Sequence, residues 1–419
     1  MSTNILHALS EKSFFHLWVG EVFTQISVNL FNFFLILVVF NQTHSNTAVS
    51  LVVLSFTVPA IIFGSIAGVL VDRWSKKQVL VLTNLARALL LIFLVFSLDN
   101  LVVVYIISFI VSALTQFFIP AESPMIPLVV HRKHLLSANA LFGLGIFGSI
   151  LIAYVLSGPL MLLIGPQNTL LVLAALLGIG AIFISFITPT YAKGKIKEKW
   201  RTRLTVLKDI VHTLKTISRI REVLHSVLLL ALSQILNLII ATIAPGYASQ
   251  ILGIHVEEFP LLFVAPAALG MITGAVILVR FFHNHPRERI INFGIVLSGV
   301  AMLLMPYGSK VASRDFVQTL NIYLPHIFEI TILHIMIVLA FILGVANAIV
   351  FVPANTIIQE KTKDEIRGKI YGMINTLAGA LSLIPIILVG GLSDLVGVGW
   401  VLTGIGVSLL VLGIIRMVK

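Results

Sequence analysis

Twelve stretches of mostly apolar residues, each long enough to cross a bilayer as a helix, constrain this chain more than any other feature. A spanning helix needs about 20 such residues, since each rises about 1.5 Å through a hydrocarbon core about 30 Å thick. The runs lie near 14–40, 48–71, 78–98, 101–122, 137–164 and 167–188, and again near 223–246, 257–282, 290–307, 328–356, 369–393 and 398–416. Only 11% of the 419 residues are charged, whereas a water-facing domain carries roughly 25%. Most of the surface must therefore face lipid, and the sequence predicts an all-α integral membrane protein. The segment before the first run is polar, and that run is too long for a signal-peptide core, so it is expected to remain as a membrane helix. With no cysteine in the chain, disulfides, thiolate metal sites and cysteine nucleophiles are excluded.

Orientation follows from Lys and Arg, which stay on the cytoplasmic side. With the N-terminus inside, the alternate loops and ends that face the cytoplasm hold 25 of the 28 basic residues. The outer loops hold only Lys310 and Arg314, and Arg87 falls within the third helix. This predicts an even number of spans and both termini in the cytoplasm, in a bacterial inner membrane. It also accounts for the formal charge of +11 without a nucleic-acid partner; the lipid bilayer and a small-molecule substrate are the partners expected, and the chain is expected to be a monomer.

Duplicated halves are common in transporters, and this chain carries traces of one. Pro59-Ala60 followed by Gly64 and Gly68 in the second helix matches Pro266-Ala267 followed by Gly270 and Gly274 in the eighth. Phe118-Ile119-Pro120-Ala121 ends the fourth helix as Phe351-Val352-Pro353-Ala354 ends the tenth. Two six-helix halves are predicted, 1–188 and 223–419, joined by a basic segment, 189–222. Within it Leu204, Leu207, Val211 and Leu214 recur at helical spacing between Arg203, Lys208 and Lys215. That pattern fits an amphipathic helix on the inner membrane surface; a solvated basic loop is the alternative.

Between the second and third helices stand Gly68, Leu70, Asp72, Arg73, Lys76, Lys77 and Val79. This run resembles the signature loop of the major facilitator superfamily, G-x-L-x-D-R-x-x-R/K-R/K-x-V. The resemblance continues through Asn84 to Leu90 with Arg87, through Pro120-Ala121 and Ile126-Pro127, and through Val352 to Thr356 followed by Asp364-Glu365-Ile366-Arg367-Gly368. It is similar to the branch holding macrolide efflux proteins and the enterobactin exporter. The resemblance implies the major facilitator fold, two pseudo-repeated six-helix bundles, with alternating access. In the signature, Gly64 and Gly68 form a small-xxx-small face suited to close helix approach. Asp72 can meet the positive end of a helix dipole; the resemblance implies that the eleventh helix is the partner. Arg73, Lys76 and Lys77 are gating residues or topology anchors.

Two departures bear on energy coupling. Proton-coupled antiporters of the family usually carry an arginine in the fourth helix, and residues 102–119 contain none. Their fifth-helix motif keeps Gly158-Pro159 here, but Tyr154 replaces a glycine. Arg87 is either a charge contributed by the third helix or a packing residue.

Polar groups inside a membrane are costly and usually face a cavity or another helix. Glu21, Gln25, Asn29 and Asn32 recur at intervals of four, four and three, which places them on one face of the first helix. Ser112, Thr115 and Gln116 in the fourth helix, Gln234 and Asn237 in the seventh, Asn347 in the tenth and Asn375 in the eleventh complete the candidate substrate path. Helix-to-helix hydrogen bonding is the competing role for these amides. His326, Glu329 and His334 near the outer end of the tenth helix are candidates for proton exchange or plain surface residues. Should Glu21 prove structural, coupling falls to Arg87, Glu122 or those histidines. His283 and His285 stand among Arg287 and Arg289 and are expected to be loop residues.

No phosphate-cradling glycine loop, HExxH or nucleophile with a placed base occurs, so neither catalysis, a cofactor nor a metal site is expected. The sequence predicts a secondary transporter, expected to export a bulky, partly apolar small molecule of the drug, macrolide or siderophore class, with a proton gradient as the candidate driving force. A facilitator for a lipid-like or metal-related substrate, and a transport-dead membrane sensor or assembly protein, are the alternatives.

Overall fold

The computed structural model describes residues 5–131, 134–188, 220–282, 285–309, 317–318, 321, 330–362 and 364–418. Among them the long elements are all helical: α1 (Lys12–Thr43), α2 (Asn46–Arg73), α3 (Lys76–Val95), α4 (Leu101–Glu122), α5 (Leu135–Ser185), α6 (Arg221–Gly246), α7 (Ala265–Phe281), α8 (Arg287–Leu304), α9 (Ile332–Lys361), α10 (Asp364–Val396) and α11 (Val398–Val418). Eleven helices among the described residues are long and apolar enough to cross a membrane.

One of the eleven counts twice. At 51 residues α5 would be about 77 Å long as a straight helix, far beyond a bilayer core. It breaks at Gly165, whose φ of 78° is open to glycine and strained for other residues. Pro166 follows and has no N–H to continue the ladder. The two arms match the fifth and sixth predicted spans, so the described residues hold twelve spans, the number predicted. The eighth span starts at Val256, within one residue of its predicted start, but runs through a π-helical turn, Pro260–Val264, before α7 begins at Ala265.

α3 shows why these helices belong in lipid. Its exposed face carries Leu82, Leu85, Leu89 and Phe93, and its buried face carries Thr83, Asn84 and Arg87. A soluble helix reverses that arrangement. Apolar side chains gain nothing from leaving lipid, so close packing and hydrogen bonds must hold the bundle together.

The chain divides into two compact units, Met1–Val38 with Leu54–Lys208, and Val39–Val53 with Asp209–Lys419. In the first unit, α1, α3 and the second arm of α5 meet around Gly20 and Gly180. A side-chain carbon at Gly180 would stand 2.9 Å from Thr24 Oγ1 and 3.0 Å from the Gly20 carbonyl, so only glycine permits this approach. Ser27 Oγ donates to the Leu173 carbonyl (2.8 Å) and Trp18 Nε1 to the Leu141 carbonyl (2.9 Å), tying α1 to both arms of α5. Below them Phe14, Leu17, Leu80, Phe118, Ile184 and Ile187 form a buried cluster.

The second unit is also built on glycine. A side-chain carbon at Gly270 would strike the Phe341 carbonyl, and one at Gly344 would strike the Ala267 carbonyl, so α7 and α9 touch backbone to backbone. α8 and α11 pair through Gly299 and Gly406, and Arg416 Nε donates to Asn292 Oδ1 (2.9 Å).

The division departs from the predicted halves at residues 39–53, which belong with the second unit. The physical reason is the Asp394 carboxylate, at the end of α10, which caps α2. It accepts from the backbone N–H groups of Asn46 (2.8 Å) and Thr47 (2.9 Å) and from the hydroxyls of Ser45 and Thr47 (both 2.6 Å). Free N–H groups and dipole charge at a helix N-terminus both favour an acid there.

Candidate functional site

The first unit holds three buried ionisable side chains from three helices: Glu21 on α1, Arg87 on α3 and Glu122 at the end of α4, exposed by 1%, 0% and 5%. Burying such groups is expensive unless they are paired and hydrogen-bonded. Arg87 meets that demand with neutral acceptors. Its Nε donates to the Thr83 carbonyl (3.2 Å), Nη1 to Thr115 Oγ1 (3.2 Å) and Nη2 to Asn84 Oδ1 (2.5 Å). Its guanidinium carbon lies 4.8 Å from the centre of the Phe118 ring, a cation–π placement. Asn84 Nδ2 donates in turn to Thr24 Oγ1 (2.8 Å), carrying the network to α1. Both carboxyls interact electrostatically with Arg87 and with each other.

The polar stripe of α1 runs up from Glu21. Gln25 Nε2 donates to Glu21 Oε1 (2.7 Å), and Asn29 Nδ2 donates to the Gln25 carbonyl (2.7 Å) and to Gln25 Oε1 (3.1 Å). Gln25, Asn29 and Asn32 are half-buried. The hydrogen bonds of Gln25 and Asn29 thus run along their own helix as a ladder ending on a carboxyl, and do not serve as cross-helix glue.

The α4 residues divide differently. Ser112 Oγ donates to the Phe56 carbonyl (2.7 Å) and so joins α4 to α2. Thr115 accepts from Arg87, and half-buried Gln116 donates to the Ser112 carbonyl at 3.5 Å.

In the second unit, Ser233 Oγ donates to Asn347 Oδ1 (3.2 Å), and Asn347 Nδ2 donates to Asn237 Oδ1 (3.5 Å), so α6 and α9 share a small polar cluster. Gln234 is half-buried beside it on α6. The side chain of Asn375 lies outside the described residues.

In the signature loop Arg73 is exposed and Lys76 and Lys77 are half-buried; the side chain of Asp72 lies outside the described residues. The close helix approach expected at Gly64 and Gly68 is not found there. Gly68 has no described atom within 4 Å of an added side-chain carbon, and Gly64 has only Gln116 Oε1, at 3.8 Å. The approach occurs instead at the matching glycines of the repeat: an added carbon at Gly274 would lie 3.0 Å from Val345 and Ala348, and Gly270 is in backbone contact. Among the outer candidates, His334 forms a capping box with Thr331 at the start of α9, whose N–H donates to His334 Nδ1 (3.1 Å). That gives His334 a structural task at the helix start, whichever of its two expected roles it also has. His326, Glu329, His283 and the amphipathic stretch 204–215 lie outside the described residues, and His285 rests against the Phe282 ring.

The sequence pattern does not assign Thr24, Thr83 and Asn84 to the centre, and Glu122 enters there only as a fallback to Glu21. Asn84 stands three residues before Arg87 on one helical face, a signal that could have found it. Asp394 was also missed, although Ser45-Asn46-Thr47 is a recognisable helix start.

The sequence profile of the Major Facilitator Superfamily matches residues 17–317. YfiS of Bacillus subtilis (strain 168), described as an uncharacterized MFS-type transporter, is 22% identical over 384 residues, covering 90% of this chain and 86% of its own. YkuC of the same organism, likewise described, is 34% identical over 130 residues, 30% of each chain. Among solved structures, a mutant of the nucleoside transporter NupG has a TM-score of 0.73 at 14% identity, covering 97% of this chain and 99% of that one. The POT family transporter PepTSo gives 0.67 at 13% identity, with 97% of both chains covered. At these identities the structural likeness speaks for the fold.

Proposed function

This chain belongs to the Major Facilitator Superfamily and is a membrane transporter of that type, and we propose that it is a secondary active exporter driven by a proton gradient. The fold is shared with solved transporters of the superfamily, whose general mechanism is alternating access. The observation that carries the proposal is the α1 ladder, in which half-buried Asn29 and Gln25 lead to the buried carboxyl of Glu21. A carboxylate adds little to packing in lipid and is retained where it binds or transfers charge. Such a ladder gives a substrate amide contacts and gives the proton a place to reside.

We assign the substrate to the bulky, partly apolar small molecules of the drug, macrolide or siderophore class, on the motif likeness to macrolide efflux proteins and the enterobactin exporter. The inner membrane of a bacterium, with both termini in the cytoplasm and the chain as a monomer, is the setting proposed; the 25-to-2 split of basic residues across the predicted loops supports the orientation.

The test is a transport screen in proteoliposomes, with and without an imposed pH gradient, over macrolides, lipophilic drugs and catecholate siderophores. At least one compound should move against its concentration gradient only while the pH gradient stands. Equal movement after a protonophore collapses the gradient would refute the drive. Movement confined to lipid analogues would favour the facilitator alternative.

A further inference from the structure

The first unit buries one cation and two acids, and that imbalance has a chemical consequence. Glu21, Arg87 and Glu122 are each at least nine-tenths buried. One carboxylate neutralises the Arg87 guanidinium; a second would leave a net negative charge in a site with little water to solvate it. Glu21 Oε1 accepts from Gln25 and its buried Oε2 meets no neutral donor, while the Glu21 and Glu122 side chains share a hydrogen bond, which two carboxyls can form only when one of them carries a proton.

We propose that Glu21 and Glu122 form a single-proton site: the two carboxyls together hold one proton, and Arg87 serves as counter-ion to the charge that remains. The inference rests on the proton-driven proposal for its role in transport; its chemistry rests on the burial of the three groups and on the contact between the two acids. Charge balances throughout. With the proton bound, the guanidinium, one carboxylate and one carboxylic acid sum to zero. When the proton leaves, the cluster carries one net negative charge, which a cationic substrate on the Gln25–Asn29 face can offset. Proton and cation then compete for one charge, and exchange follows. Removing either acid leaves the other ionised against Arg87, so either deletion abolishes the proton site.

The surroundings supply no rival partner among the described residues. The charged groups acting on the two carboxyls are Arg87 and each other. α5, packed against α1 and α3, has no Asp, Glu, Lys, Arg or His from Leu135 to Ser185, and its one phenol is Tyr154. α4 adds Tyr105, α1 adds Lys12 and His16 nearer its start, α3 adds Lys76 and Lys77 at its first turn, and α2 adds Arg73 at its last.

The experiment is an infrared titration of the full-length protein in lipid, following the carboxylic acid C=O band in water and in D2O. The parent should show one buried protonated carboxyl near neutral pH. Glu21→Gln should lose that band, and Glu122→Gln should lose it as well, while Arg87→Lys, which keeps the positive charge, should retain it. A band surviving in either single Glu→Gln variant means two independent acids and overturns the proposal. If Glu21→Gln fails to insert, Glu122→Gln poses the same question from the other side. No substrate or gradient is needed. One shared band with gradient-indifferent transport would therefore remove the proposed function and leave the site, and independent bands with gradient-driven transport would do the reverse.

Discussion

Arg87 is the largest side chain buried to completion in the molecule's described residues, and each of its hydrogen bonds has been placed by a neighbour four residues or fewer away or by α4. That is how a guanidinium is held in a lipid-embedded bundle: a fixed fork of donors is matched to acceptors before any charge partner is counted. Glycine acts at the same scale by permitting contact. At Gly344 an added methyl would meet the Ala267 carbonyl, whereas at Gly68 it would meet no described atom. Gly344→Ala should therefore destabilise the protein by about 1–3 kcal/mol, the usual range for forcing a methylene into a packed site. Gly68→Ala should leave thermal stability in detergent unchanged but lower the transport rate if the signature loop gates. The two melting temperatures, measured side by side, check the first claim. Equal losses would mean that Gly68 is packed, and that the repeat's close contact is present in both halves.

At the scale of elements, much was legible and for a physical reason. An apolar window about 20 residues long is set by bilayer thickness, so α1, α3, α4 and α6 begin within two residues of their predicted starts. The Gly165-Pro166 break fell between the two predicted spans. What a single sequence does not carry is which helices touch. Glu21, Arg87 and Glu122 lie on three helices, and the approach of α1 and α3 beside the second arm of α5 depends on small residues such as Gly20 and Gly180. The direction of the α1 ladder was equally hidden, because periodicity places Gln25 and Asn29 on a face without saying which acceptor each chooses. The capping of α2 by Asp394 could not be read because it joins residues separated by 348 positions. Topology remains a prediction of the charge pattern. Reporter fusions after residue 195 should read cytoplasmic and those near residue 315 external. A cytoplasmic signal at 315 would reverse the orientation and remove a span.

For the whole molecule, alternating access is the general mechanism of the superfamily, and the proposed proton site in the first unit would supply a buried charge that changes during it. A gradient can drive a conformational cycle only as far as the proton's affinity differs between its states. Proton-driven export, as proposed, depends on the carboxyl pair, and its most direct measurement is proton movement coupled to transport. Proteoliposomes containing the parent, Glu21→Gln or Glu122→Gln would be given an imposed pH gradient and a pH-sensitive dye, then a compound identified in the transport screen. In the parent, adding the compound should dissipate the gradient in step with its movement; in either variant the gradient should persist and accumulation against a concentration gradient should cease. Proton movement at the parental rate in both variants would contradict the account, since the proton would then travel by a route that does not involve Glu21 or Glu122.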